Sequence, residues 1–315
     1  MLSRVADNLY WMSRYLERAE HCARVLDVHM NLILEQPDPA GQRMQRLANC
    51  FNFPPPEDGF FFVRDLAFNP ENRVSIVSCI AAARENARQV RERISSEMWQ
   101  ELNRLYIEVK HADSGLAFET EPHVFFQIVK SGAHMFQGIT DSTVSHGEGW
   151  HFIQLGRYIE RVIALSTLVD AYFQDFDPAG TRSNVTIGDY FEWLGMLKSC
   201  TAFEAYSKVY TADLRPALVA EFLILNDEFP HSVRFSVDQM QNALSMIADT
   251  TETRKSGRVH RLVGRLRAAL SYNQIDEIMA DSLHDYLMDI QHQCAEIHNA
   301  AYETFIAYPI TPALA

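Results

Sequence analysis

Nowhere in these 315 residues does an apolar run reach the length a membrane-spanning helix needs, about eighteen residues. Basic residues are scarce as well: 28 Lys and Arg stand against 41 Asp and Glu, a formal charge of -13. A field of that sign repels nucleic acid and anionic lipid, so neither is expected as a partner. Glycine is limited to 13 residues, with no G-x-S-x-G elbow, no phosphate-cradling loop and no dinucleotide fingerprint. Self-contained ATP chemistry is therefore not expected, and no cofactor is called for. The five cysteines, Cys22, Cys50, Cys79, Cys200 and Cys294, are dispersed without a C-x-x-C spacing. Met1-Leu2-Ser3-Arg4 passes straight into an amphipathic pattern without a secretory signal. Both features fit a reducing cytoplasm. Alternating strand patterns are missing too, and Phe60-Phe61-Phe62-Val63 is the only ambiguous patch.

What fills the sequence is helical periodicity. Leu9, Met12, Leu16, Ala19, Ala23, Leu26, Met30 and Ile33 recur at spacings of three and four, which predicts a helix over roughly 3–34 capped by Ser3. A second line on that helix, Arg14, Arg18, His21, Val25, Val28 and Leu32, is charged at one end and apolar at the other. Such a helix is expected to pack between neighbours. Pro37, Pro39 and the Pro54-Pro55-Pro56 run bracket shorter elements. Asn69-Pro70-Glu71 reads as a helix start, followed by the stripe Ile76, Ile80, Ala83, Ala87, Val90 and Ile94. Ser95 or Ser96 caps the next helix. Further helices are expected over roughly 118–143, 150–175, 189–211, 216–226, 232–248, 258–271 and 274–307, with a turn at Asn226–Pro230 and a polar loop at Thr250–Gly257. The expected fold is all-α: a multi-helix bundle of two related halves, 1–145 and 146–315, forming one compact unit with no substantial sheet.

The two halves are suggested by an echo. Arg14-Tyr15-Leu16-Glu17-Arg18 and Arg157-Tyr158-Ile159-Glu160-Arg161 match at four of five positions, and each leads through apolar helix to an aspartate, Asp27 and Asp170. Arg84, Glu85 and Arg88 repeat the same chemistry on a third helix. If these helices pack together, Arg14, Glu17, Arg18, Arg84, Glu85, Arg88, Arg157, Glu160 and Arg161 converge on one polar cavity, with His21, His231 and Arg234 as weaker candidates. Glu17 follows Arg14 by three residues and is expected to orient it along the same helix. Two oriented guanidinium groups can clamp a carboxylate or phosphate, so an acidic peptide or carboxylate ligand is favoured. Three readings stay open: exposed pairs contributing about 0–1 kcal/mol each, a buried ion network in which losing one partner costs about 3–5 kcal/mol, or a ligand cavity. The switch from charged to apolar along one stripe speaks against a wholly solvated face. Glu148-Gly149-Trp150-His151 has the E-x-x-H spacing of di-iron bundles, but Asp281-x-x-His284 is its only approximate partner. Cys294 and His298 form only a two-ligand pair. No metal site is expected.

Several segments carry a wider resemblance. Asp7-Asn8-Leu9-Tyr10-Trp11 before the first motif, Ala83-Arg84-Glu85-Asn86-Ala87-Arg88, Trp99 with Leu102-Asn103, Gly149-Trp150 before the second motif, and Phe229-Pro230-His231-Ser232-Val233 together resemble the bacterial alpha-E domain family along nearly the whole chain. At His231 the family pattern favours arginine, a departure that bears on any anion-binding role there. The resemblance implies a helical protein encoded beside, or fused to, ATP-grasp-type peptide ligases and transglutaminase-like proteins, and so a partner or accessory subunit of such a system. The alternative is a stand-alone enzyme acting on a peptide, amide or carboxylate in a cavity lined by Glu17, Glu85, Glu160 and arginines. A metal-dependent bundle enzyme is a third option. A homodimer is compatible with a helical chain of this size.

Overall fold

The computed structural model describes residues 1, 3–35, 41–112, 115–174, 187–211, 213–251 and 257–306, and these form fifteen α-helices without a strand. The chain begins with the long α1 (Ser3–Glu35), then α2 (Gln42–Cys50), α3 (Gly59–Phe68), α4 (Ile76–Gln89) and α5 (Ser96–His111). Next come α6 (Leu116–Thr120), α7 (Pro122–Thr143) and the second long helix, α8 (Glu148–Phe173). After these follow α9 (Ile187–Ser199), α10 (Phe203–Tyr210), α11 (Pro216–Leu225), α12 (Val233–Thr251), α13 (Arg258–Tyr272), α14 (Ile275–Asp281) and α15 (Leu283–Ala301).

α1 and α8 lie against each other at the centre. α4, α7 and α9 pack on α1, while α2, α12 and α15 pack on α8. Both central helices therefore bury more than one side, which explains why neither shows a single clean polar face. One continuous apolar cluster runs through the molecule, from Leu9 and Met12 on α1 through Leu155 and Val162 on α8 to Val237, Leu287 and Ile297.

The close meeting of the two long helices depends on a glycine. A Cβ added at Gly156 would collide with the backbone carbonyl oxygen of Tyr10 and stand 3.1 Å from its carbon. Where backbones approach this closely, only glycine fits. Ser13, the position equivalent to Gly156 when the two five-residue motifs are aligned, is also small and buried.

Several boundaries differ from the sequence expectation. The Phe60–Val63 patch is helical, because Asp58 caps α3 by accepting from the Phe61 amide at 2.9 Å. Asn69 closes α3 instead of opening α4: its Nδ2 donates to Asp65 at 2.7 Å and its Oδ1 accepts from the Glu71 amide. The start of α4 falls to Ser75, whose hydroxyl accepts from the Ser78 amide. The helix expected over 118–143 breaks at Glu121, since Pro122 begins a new helix. The one expected over 189–211 breaks at Thr201, which holds a positive φ of 52°. The one expected over 274–307 breaks at Ser282, which caps α15 through the Asp285 amide. A proline at Pro122, a positive φ at Thr201 and a serine cap at Ser282 thus each override a continuous apolar periodicity. Ser95 caps α5 as expected. Of the loop expected at 250–257, residues 250 and 251 still belong to α12, and 252–256 lie outside the described residues.

Candidate functional site

The two Glu-Arg motifs face each other across the α1–α8 contact and exchange partners. Arg14 Nε donates to Glu160 Oε2 at 2.8 Å, and Arg18 Nε donates to Glu160 Oε1 at 2.6 Å. In return Arg161 Nε donates to Glu17 Oε1 at 2.6 Å, while Arg157 Nε stands 3.8 Å from Glu17 Oε2. Glu17 thus does not orient Arg14 on its own helix, contrary to the expectation from three-residue spacing. In a buried contact the side chains lean toward the neighbouring helix, where each carboxylate meets two guanidinium groups. Both glutamates are buried, 3% and 5% exposed.

Electrostatics follows from this geometry. Burial opposes ionisation of Glu17, but Arg161 and Arg157 outweigh it and hold its carboxyl below the usual carboxylate range. Burial opposes Glu160 in the same way, and Arg14 and Arg18 hold it low. The clasp is extended by neighbours. Arg14 Nη1 donates to the Tyr10 hydroxyl at 3.2 Å, and that hydroxyl is 2.8 Å from His298 Nδ1 on α15. Arg14 also lies over the Trp11 ring at 4.6 Å, a cation–π contact. Arg157 Nη2 donates to Gln137 Oε1 on α7 at 2.8 Å, and Arg161 Nη1 donates to the Pro230 carbonyl at 2.9 Å.

The third helix does not join. Glu85 and Arg88 form an exposed pair with each other, Arg88 Nη2 to Glu85 Oε1 at 2.7 Å. The buried stripe of α4 runs through Ile76, Cys79, Ile80, Ala83 and Ala87, and residues 85 and 88 fall off it. Arg84 flanks that stripe and turns to α5, donating to Asn103 Oδ1 at 2.8 Å beneath the Tyr106 ring. The expected convergence of three motifs is therefore corrected to two.

Among the weaker candidates, His21 continues the Glu17 stripe and His231 follows Pro230 beside Arg161. Burial pushes His21 down to about 4. His231 is held well below the ordinary histidine range by burial and by Arg161, Arg24 and Arg157. Arg234 is elsewhere, 3.1 Å from Asp227, on the wall of an open cleft of about 400 Å³ between α11, α12, α13 and α14. In that cleft Glu221 accepts from the Tyr210 hydroxyl at 3.0 Å.

Two features escaped the sequence reading. Glu20 and Arg24 form a further buried pair on α1, with Arg24 Nη2 3.3 Å from His134 Nε2 on α7. Glu192 on α9 takes Arg43 Nε at 2.6 Å and also pairs with Arg46, whose guanidinium lies 4.7 Å from the centre of the Tyr172 ring. The arginine pair in Gln42-Arg43-Met44-Gln45-Arg46 was the available signal, but its acid lies 146 residues away. The cavity touching Glu17 and Arg157 measures about 10 Å³ and is also lined by Ser13, Gln137, Thr140 and Gln154. That is space for about one water.

With the paired Glu-Arg motifs in view, comparison with known proteins is direct. A family model described as a predicted alpha-helical domain with a conserved ER motif matches residues 1–306. The chain belongs to the Alpha-E family. Its Glu-Arg dipeptides at 17–18 and 160–161 are the ones drawn inward, whereas Glu92-Arg93 is exposed. Uncharacterised proteins of Mycobacterium bovis and Mycobacterium tuberculosis are each 22% identical over 316 residues, covering 91% of this chain. The Alpha-E chain spans only 34% of the length of those relatives. No solved structure matches it.

Proposed function

We propose that this Alpha-E protein is a non-catalytic helical partner of an ATP-grasp-type peptide ligase or a transglutaminase-like protein, acting through its outer surface. The observation that carries the reading is the inward use of the signature charges. Glu17 and Glu160 are each committed to two arginines of the facing helix, and the adjoining cavity of about 10 Å³ is far below the several hundred Å³ that substrates of ordinary size occupy. The motif builds the body of the molecule and leaves its outer faces for contacts. The partner class is the one the family resemblance implies. It is supported by the length of the mycobacterial relatives, in which a segment like this one accompanies about twice as much additional chain.

The test is gel filtration at low salt with an ATP-grasp-type ligase from the same source. A shared peak and a faster ligase supports the reading; two separate peaks with an unchanged ligase rate would sink it. Glu17→Gln separates this reading from a stand-alone enzyme, because a partner loses stability with the glutamate, whereas an enzyme loses turnover with its stability intact.

A further inference from the structure

The open cleft beside Arg234 has the size of a ligand site. Its volume of about 400 Å³ falls within the range that small molecules occupy, and its walls come from α11, α12, α13 and α14, with Tyr210 from the end of α10. Part of the wall is apolar, through Leu225, Leu270 and Ile275. The polar part is negative: Glu221, Asp227 and Asp276 stand against a single cation, Arg234. Arg234 is already occupied, 3.1 Å from Asp227 and donating through Nη1 to the Leu225 carbonyl at 3.3 Å. Glu221 and Asp276 pair with no cation among the described residues. Cations that flank the cleft in the chain do not offset them. Asp213 holds Arg215 at 2.8 Å, and Asp238 holds Arg267 at 2.5 Å. Lys208 is two residues from Tyr210 and therefore on another side of α10.

The backbone strengthens the same field. Three helices end at this cleft: α10 at Tyr210, α11 at Leu225, and α13 at Tyr272 between the lining residues Ser271 and Asn273. The carbonyl end of a helix carries roughly half a negative charge. Neither α11 nor α13 has a basic residue in its last turn to offset it. Two helices also start here, and neither leaves its positive end open. Ser232 caps α12 by accepting from the Phe235 amide at 3.0 Å, and the first turn of α14 carries Asp276 and Glu277. Glu221 is held in place as well. Its Oε2 accepts from the Tyr210 hydroxyl at 3.0 Å, while its Oε1 has no donor among the described residues. Burial and that hydrogen bond push Tyr210 up to about 12, so the hydroxyl remains a donor.

We propose that this cleft binds an alkyl diammonium ligand, with one ammonium on Glu221, the other on Asp276, and the methylene chain across Leu225, Leu270 and Ile275. Two unmatched carboxylates call for two positive charges. They come from different helices, α11 and α14, and among the described residues no three acidic, imidazole or thiol side chains gather closely enough to coordinate a metal ion. An extended organic cation meets separated charges, whereas a compact ion does not. An anion is disfavoured by the same count, because the one cation in the wall is held by Asp227. Two sources share this chemistry, a free diamine and a pair of lysine side chains on a polypeptide. The inference stands apart from the partner reading, since a helical partner can carry such a site or lack it.

The experiment measures calorimetric binding and melting temperature with diaminobutane, against butylamine and sodium chloride at equal ionic strength to remove general screening. Diaminobutane is expected to bind about tenfold or more tightly than butylamine, the gain typical of one further charged hydrogen bond. Glu221→Gln is expected to weaken diaminobutane binding about tenfold while keeping an acceptor for Tyr210. Asp276→Asn, at an exposed position where folding is not at stake, should weaken it similarly. Glu92→Gln removes the same charge from an exposed turn of Arg91–Arg93 and should leave binding unchanged. A capped Lys-Lys dipeptide distinguishes the sources: tighter binding than diaminobutane assigns a polypeptide, and weaker binding assigns the free diamine. Equal binding of butylamine and diaminobutane, undiminished binding in either cleft variant, or an equal loss in Glu92→Gln overturns the site.

Discussion

At the scale of single residues, Glu17 and Glu160 are where the free energy is concentrated. Each is a buried carboxylate whose two guanidinium partners are required, because no solvent is available to replace them. Replacing Glu17 by Gln strands Arg161 and Arg157, and urea denaturation should register a loss of about 3–5 kcal/mol. A loss below about 1 kcal/mol would mean that the pair behaves as a surface ion pair. His21 makes a separate prediction about pH. Its pKa in the folded chain, about 4, is below the unfolded value of about 6.5. Below 6.5 the unfolded chain takes up a proton that the folded chain refuses, so stability is present near neutrality and falls as the pH drops toward 4. At pH 5.5 the deficit from this group is on the order of 1 kcal/mol. His21→Gln should flatten the stability profile between about pH 6.5 and 5, and an unchanged slope would show that other groups set it. Below about pH 4 the two depressed glutamates add a further loss as they protonate.

At the scale of elements, the contact between α1 and α8 depends on Gly156 as much as on charge. An added methyl there meets the Tyr10 carbonyl, and backbone cannot rotate away as a side chain can. Gly156→Ala should push the helices apart and cost about 1–3 kcal/mol or more, read as a lowered denaturation midpoint; a midpoint equal to that of the parent would show that the helices slide without penalty. This position also marks a limit of sequence reading. The bounds of α1 and α8 followed closely from three- and four-residue apolar spacing, because long periodic runs leave little alternative. Breaks at Glu121, Thr201 and Ser282 did not, since each is decided locally, by Pro122, by a positive φ and by a serine cap respectively, inside a run that stays apolar. The Glu-Arg motifs stood out as repeats, but spacing along one helix pointed to Arg14 as the mate of Glu17. The actual mates, Arg157 and Arg161, lie on another helix and could be found only in three dimensions. Arg84, Glu85 and Arg88 had the right composition at the wrong helical phase, two of them falling beside the buried stripe of α4.

At the scale of the whole molecule, burial also governs the thiols. All five cysteines are buried and free, and burial pushes Cys79, Cys200 and Cys294 up to about 12. A thiolate is the reactive form, so the native protein should be nearly silent toward a thiol reagent at neutral pH. Five equivalents should react once denaturant is added; rapid labelling without denaturant would reveal an opening motion that exposes the core.

The crossed pairing of Glu17 with Arg161 and of Glu160 with Arg14 and Arg18 has a consequence for how the chain can be divided. A cut in the Val144–Gly147 connection would leave each fragment with a carboxylate whose mates reside on the other. Neither fragment is then electrically self-sufficient, so each should stay unfolded by itself and regain structure only when the two are mixed. Severed in this way, the protein becomes an obligate complementation pair.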